Sequence, residues 1–111
     1  MSEKEEVEFL ISVLDEKKTD DLVCIDTSER SSIANYVIIC TCSSTTACRA
    51  VAGFVEEKAK GIIPLLRTDG EKVAEWIVLD FGSVIIHIFI DEVRKFYNLE
   101  KLLNAEEYKA V

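Results

Sequence analysis

The side chains best suited to chemistry in this sequence are its one histidine, His87, and its four cysteines, Cys24, Cys40, Cys42 and Cys48. A zinc site would need thiolates or imidazoles at close, characteristic spacings. Here no Cys-x-x-Cys pair occurs, and His87 lies far along the chain from every cysteine. A nucleophilic Cys–His pair would need a third residue to orient it, and nothing in the sequence marks one. The acidic pairs Asp20-Asp21, Glu56-Glu57, Asp91-Glu92 and Glu106-Glu107 are sequence neighbours. Neighbouring side chains diverge in a helix or a strand, so these pairs read as solvated surface. Neither glycine-rich phosphate loop is present. The expectation is a protein with no catalytic residue, no metal and no cofactor.

The remaining candidate is a surface. The run from Glu75 to Phe89 reads as two strands joined by a tight turn, and it carries both the only Trp and the only His. With Phe81-Gly82 as turn residues, Asp80 pairs with Ser83, Val78 with Ile85 and Trp76 with His87. Side chains alternate across a strand. One face then holds Ile77, Leu79, Val84, Ile86 and Ile88, a purely aliphatic set that suits packing under helices. The other face holds Trp76, Val78, Asp80, Ser83, Ile85, His87 and Phe89. Two readings of this mixed face stand side by side. Covered by helices, Trp76 and His87 are core residues with bonded N–H groups. Left open, the face meets a protein partner, for which Trp is a favoured anchor.

Other elements must position this hairpin. Residues 2–18 read as a helix with Val7, Leu10, Ile11 and Leu14 on one stripe, and Ser2 with Glu5 forms a capping box. Leu22–Asp26 reads as a buried strand, Thr27–Ser32 as a polar turn and Ile33–Thr41 as a second strand. Ser43-Ser44-Thr45-Thr46 offers caps for a helix over residues 47–60, with Ala47, Val51, Phe54 and Val55 apolar and Gly61 closing it. Ile62–Leu66 is a short extended segment that Pro64 confines to a sheet edge. Asp69-Gly70 marks a turn. Asp91 caps a short helix carrying Val93, Phe96 and Tyr97, and Leu99, Leu102 and Leu103 continue it. Residues 104–111 read as a frayed tail. The fold class is α/β, with a mixed sheet of about five strands flanked by helices.

The chain of 111 residues suits one domain over 1–111, and 49% hydrophobic residues against 31% charged indicate a folded core. A net charge of −8 disfavours direct nucleic-acid binding and attracts a basic protein partner. The longest apolar run is interrupted before membrane-spanning length, so no membrane contact is expected. The acidic start Met-Ser-Glu-Lys-Glu-Glu is neither a secretory signal nor a transit peptide, so the cytoplasm is the expected compartment and the cysteines are expected as thiols.

From about Asp21 to Leu102 the chain resembles the ribosome silencing factor, or Iojap-like, family. The resemblance rests on Ser31-Ser32-Ile33 leading to Ile38-Ile39-Cys40-Thr41, Gly61 with Pro64, Gly70-Glu71, and Trp76 through Gly82 with Val84, Ile85 and His87. Arg94, Tyr97, Leu99, Glu100, Lys101 and Leu102 match the family's ending. The chain departs from the pattern at Cys42, where the family usually has Gly, at Thr46-Ala47-Cys48, and at Leu66-Arg67-Thr68-Asp69. The resemblance implies a topology related to nucleotidyltransferases without their activity. It implies binding to the large ribosomal subunit through large-subunit ribosomal protein fourteen, which blocks joining of the small subunit when nutrients are scarce. It also leaves room for a homodimer off the ribosome. On this reading Trp76, Asp80, Phe81, His87, Arg94 and Tyr97 form the partner surface. Two alternatives are a homodimeric scaffold without a ribosome role and a nucleotidyltransferase-like enzyme. The enzyme would need clustered carboxylates after a Gly-Ser pair, and Gly82-Ser83 is followed by aliphatic residues.

Overall fold

The computed structural model describes residues 1–29, 34–102 and 108–110. Helix α1 (Glu3–Glu16) opens with the expected reciprocal cap: Ser2 accepts from the Glu5 N–H, and the Glu5 carboxylate accepts from the Ser2 N–H at 2.9 Å. This holds the Glu5 carboxyl below the usual carboxylate range, the backbone hydrogen bond at Ser2 being the larger cause. Val7, Leu10, Val13 and Leu14 form its buried stripe. Leu10 and Leu14 are fully buried, and each contributes on the order of 2 kcal/mol.

Strands β1 (Asp20–Asp26) and β2 (Tyr36–Cys42) pair antiparallel, with a bulge between Asp20 and Val23. Helix α2 (Thr45–Ala59) starts at Ser44, whose hydroxyl accepts from the Ala47 N–H, and Gly61 follows it at φ +79. That left-handed angle is the one a helix-terminating glycine supplies. The next strand is β3 (Arg67–Asp69) rather than the expected Ile62–Leu66. The N–H groups of Ile62 and Ile63 both bond back to the Ala59 carbonyl, finishing the helix. Pro64 has no N–H to offer. Pairing therefore begins only at Leu66, whose N–H reaches Asp80.

Strands β4 (Trp76–Asp80) and β5 (Val84–Ile90) form the hairpin, but its register differs from the expected one by two residues. Trp76 faces Phe89, Val78 faces His87 and Asp80 faces Ile85. Gly82, at φ +89, and Ser83 form the turn, while the Phe81 N–H donates to the Val84 carbonyl. A two-residue loop of this kind takes glycine at its first central position. A shift of two keeps each side chain on its expected face.

Strand β5 runs directly into α3 (Asp91–Tyr97). Its N-cap is Ile90, so Asp91 is the first helical residue and not the expected cap. Asp91 instead pairs with Lys95 one turn on, at 2.8 Å. Asn98, in the left-handed conformation, separates α3 from the short α4 (Leu99–Leu102). A final strand, β6 (Tyr108–Ala110), pairs antiparallel with β1, replacing part of the frayed tail expected over 104–111. The rest of that tail expectation, and the Ser31-Ser32-Ile33 segment, lie outside the described residues.

The sheet order is β3-β4-β5-β2-β1-β6, with β2 and β5 parallel and every other pair antiparallel. The expected five-stranded mixed sheet is present, extended by a sixth strand. Helices α1 and α2 cover its aliphatic face, burying Ile38, Ile77, Leu79, Val84, Ile86 and Ile88. The other face carries a smaller core of Val23, Ile25, Val37, Ile39 and Phe89, with Trp76, Val93 and Leu99 packed at its margin.

Candidate functional site

The mixed hairpin face is neither wholly covered nor wholly open. Phe89 is fully buried, whereas Trp76, Val78, Asp80, Ile85 and His87 are half-buried. Trp76 sits where the β4 margin meets α3. Its indole stacks on Phe89 with ring centres 4.8 Å apart, and Tyr97 leans against it at 4.9 Å. The Trp76 Nε1–H donates to His87 Nδ1 at 2.9 Å, diagonally across the strands. Phe96 packs edge-on against Tyr97 at 5.1 Å and is 81% exposed. Tyr97 is 51% exposed and Val73, in the loop before β4, is 65% exposed. Between that loop and α3 runs a shallow, mostly apolar groove of about 400 Å³, lined by Val73, Trp76, Val93, Phe96 and Tyr97 and edged by Glu75 and Glu92.

Three of the six surface residues expected from sequence thus come together: Trp76, His87 and Tyr97. The other three do not join them. Asp80 shares the face of Trp76 but lies about 13 Å further along the strand. Its Oδ1 accepts the Gly82 N–H at 2.8 Å, so the carboxylate closes the hairpin turn. Phe81 is 5% exposed and belongs to the core beneath α1 and α2. Arg94 is 7% exposed, and its Nη1 donates to the Asp21 carbonyl at 2.7 Å and to Thr41 Oγ1 at 2.8 Å. It fastens α3 to β1 and β2 rather than facing a partner. Sequence reasoning missed Val73, Phe96 as a surface residue, Glu75 and Glu92. Adjacent Phe96-Tyr97 on a short helix was a usable signal, because successive helical side chains point about 100° apart and two large rings side by side are hard to bury together on a helix of seven residues.

Burial pushes the His87 imidazole down to about 4. Accepting the Trp76 N–H at Nδ1 acts the same way, since that nitrogen must stay unprotonated. The unfolded chain binds this proton near pH 6.5. Between those values the unfolded state holds more protons than the folded one, so stability is lost as pH falls from about 6.5 to 4 and levels off below. The expected loss is on the order of 3 kcal/mol. Thermal melts of wild type and His87→Asn across pH 7 to 4 check it: the wild type should lose stability relative to His87→Asn on acidification.

The cysteines lie elsewhere. Cys40, Cys42 and Cys48 are buried thiols near the end of β2 and the start of α2. Hydrogen bonding to Cys40 and burial push Cys42 up to about 12, and Cys48 is raised by its hydrogen bond with Cys42 and by burial. Cys42 and Cys48 are therefore neutral at physiological pH and poor nucleophiles. Cys42 also lines a polar crevice of about 590 Å³ at the C-terminal ends of the parallel strands β2 and β5, with Asp20, Ser44, Asp91 and Lys95. Gly82-Ser83 lies at the opposite end of β5, roughly 20 Å away. The Gly-Ser pair and the crevice carboxylates therefore do not meet.

A family profile described as "Ribosomal silencing factor during starvation" (RsfS) matches residues 1–110. The chain belongs to the ribosomal silencing factor family. A ribosomal silencing factor of Haemophilus influenzae is 39% identical over 97 residues, which cover 86% of this chain and 95% of that protein. The crystal structure of a Chromobacterium violaceum protein superposes with a TM-score of 0.90 at 29% identity, covering 93% of this chain and 87% of that one. A Mus musculus protein named for mitochondrial assembly of the ribosomal large subunit is 27% identical over 109 residues, covering 95% of this chain and 48% of that protein. Membership places the chain among ribosomal silencing factors and agrees with the α/β fold described above. No described helix is long and apolar enough to cross a membrane.

Proposed function

We propose that this protein docks on the large ribosomal subunit in the cytoplasm, through large-subunit ribosomal protein fourteen, and sterically prevents the small subunit from joining. It acts by binding and not by catalysis. The observation that carries this reading is the aromatic patch of Trp76, Phe96 and Tyr97 around an apolar groove edged by Glu75 and Glu92. Aromatic side chains at a groove are favoured binding anchors. Acidic edges, on a chain of net charge −8, suit a basic partner and steer it in. Membership of the ribosomal silencing factor family and the large-subunit assembly role for which the Mus musculus relative is named both support the ribosome as the target.

The enzyme alternative has less support. The Gly82-Ser83 pair builds the hairpin turn and leads into the buried aliphatic residues Val84 and Ile86. Co-sedimentation with isolated subunits tests the docking reading. The protein is expected to pellet with large subunits and not with small ones, less so as salt rises. Equal pelleting with both subunits, or none with either, contradicts it.

A further inference from the structure

We infer that His87 is a positioning residue for the docking surface: its imidazole holds the Trp76 indole in the orientation that the partner meets. This rests on the docking reading above. Stacking on Phe89 and the lean of Tyr97 hold the indole plane but leave its in-plane direction open. The hydrogen bond from Nε1–H to His87 Nδ1, at 2.9 Å, fixes that direction. His87 can serve as a fixed acceptor because its strand is paired on both sides, with Ile39 of β2 and Val78 of β4. An imidazole that accepts at Nδ1 carries its proton on Nε2, so the arrangement requires the neutral ring. An anchor already held in one orientation loses less freedom on binding.

The titratable and charged groups on the same face are Asp80 of β4 and Arg67 and Asp69 of β3, with Tyr97 of α3 alongside and the buried Arg94 of α3 bonded to Thr41 Oγ1 on that face. The β2 residues on that face, Val37, Ile39 and Thr41, do not titrate. Burial holds the ring neutral down to about pH 4, so protonation there should break the hydrogen bond.

Two substitutions separate positioning from packing. In His87→Asn the amide oxygen stands close to where Nδ1 was, and in His87→Leu the acceptor is gone. Binding is read by co-sedimentation with isolated large ribosomal subunits, alongside the NMR signal of the indole N–H. Loss of one hydrogen bond at an anchor should weaken binding of His87→Leu about tenfold, with His87→Asn within about threefold of wild type. The wild-type indole signal should move as pH falls through about 4, and that of His87→Asn should not follow it.

Equal weakening in both variants would make His87 a packing residue and overturn the inference. So would wild-type binding by a folded His87→Leu; if Trp76→Ala then fails to bind, the docking reading survives alone. Wild-type binding by a folded Trp76→Ala overturns the inference and removes Trp76 as the anchor, while absence of binding by the wild type itself overturns the docking reading. Should His87→Leu not fold, the pH titration of the wild-type indole still decides: a signal unmoved through the imidazole transition contradicts the inference.

Discussion

Replacing Trp76 with Ala is expected to weaken binding to isolated large ribosomal subunits by about thirtyfold or more, since truncating an interface anchor costs about 2 kcal/mol or more and ~1.4 kcal/mol is tenfold. The same change removes the ring that packs on Phe89 and Tyr97. Folding stability should therefore fall too, by about 3 kcal/mol, the low end for an aromatic truncated to Ala, because Trp76 is only half-buried. A melting curve must accompany the binding measurement. Phe96→Ser isolates the binding effect, because a side chain 81% exposed contributes little to folding. Its stability should stay within about 0.5 kcal/mol of wild type while binding falls. Unchanged binding in both variants, each folded at the assay temperature, would remove the docking surface from this part of the molecule.

Gly70→Ala is expected to be among the most destabilising single substitutions, at about 3 kcal/mol or more. Gly70 holds φ +82, an angle that strains any residue with a Cβ. An added Cβ would also collide with the Trp76 carbonyl oxygen, and this is backbone that cannot swing aside. The turn that Gly70 makes is closed by the Ala74 N–H donating to its carbonyl at 2.8 Å. Relieving the collision would displace the start of β4, and Trp76 with it. A melting temperature lower by roughly 10 °C or more should result, with weaker subunit binding. Gly53, in α2, is the control. Nothing stands within 4 Å of a Cβ added there, so Gly53→Ala should stabilise the helix by about 0.5–1 kcal/mol. Equal melting temperatures for the two variants would contradict this account of Gly70.

Local signals in the sequence predict the helical layer well. Ser2 with Glu5, Ser44 and Gly61 each act within a few residues of themselves, so α1 and the ends of α2 were legible. The two faces of the hairpin were legible because alternation survives a register shift of two. The cross-strand partner of Trp76 was not, because choosing between Phe81-Gly82 and Gly82-Ser83 as the turn leaves every side chain on the same face. Arg94 illustrates a different limit. A charged residue on a short helix reads as surface. Its burial depends on a carbonyl at Asp21, 73 positions away, which no local pattern announces. Tyr108–Ala110 is a strand only because the edge of β1 is there to pair with it. Of the candidate site, the placement of Trp76 and His87 on one face was readable from alternation. The groove beside them needed α3 and the Gly70–Trp76 loop brought together in space.

Reassociation of isolated ribosomal subunits on a sucrose gradient tests the proposed function most directly. With the protein in excess, whole ribosomes should decrease, free subunits should accumulate, and the protein should migrate with the large subunit. Whole ribosomes forming to the same extent with and without the protein would contradict the proposed blocking of subunit joining.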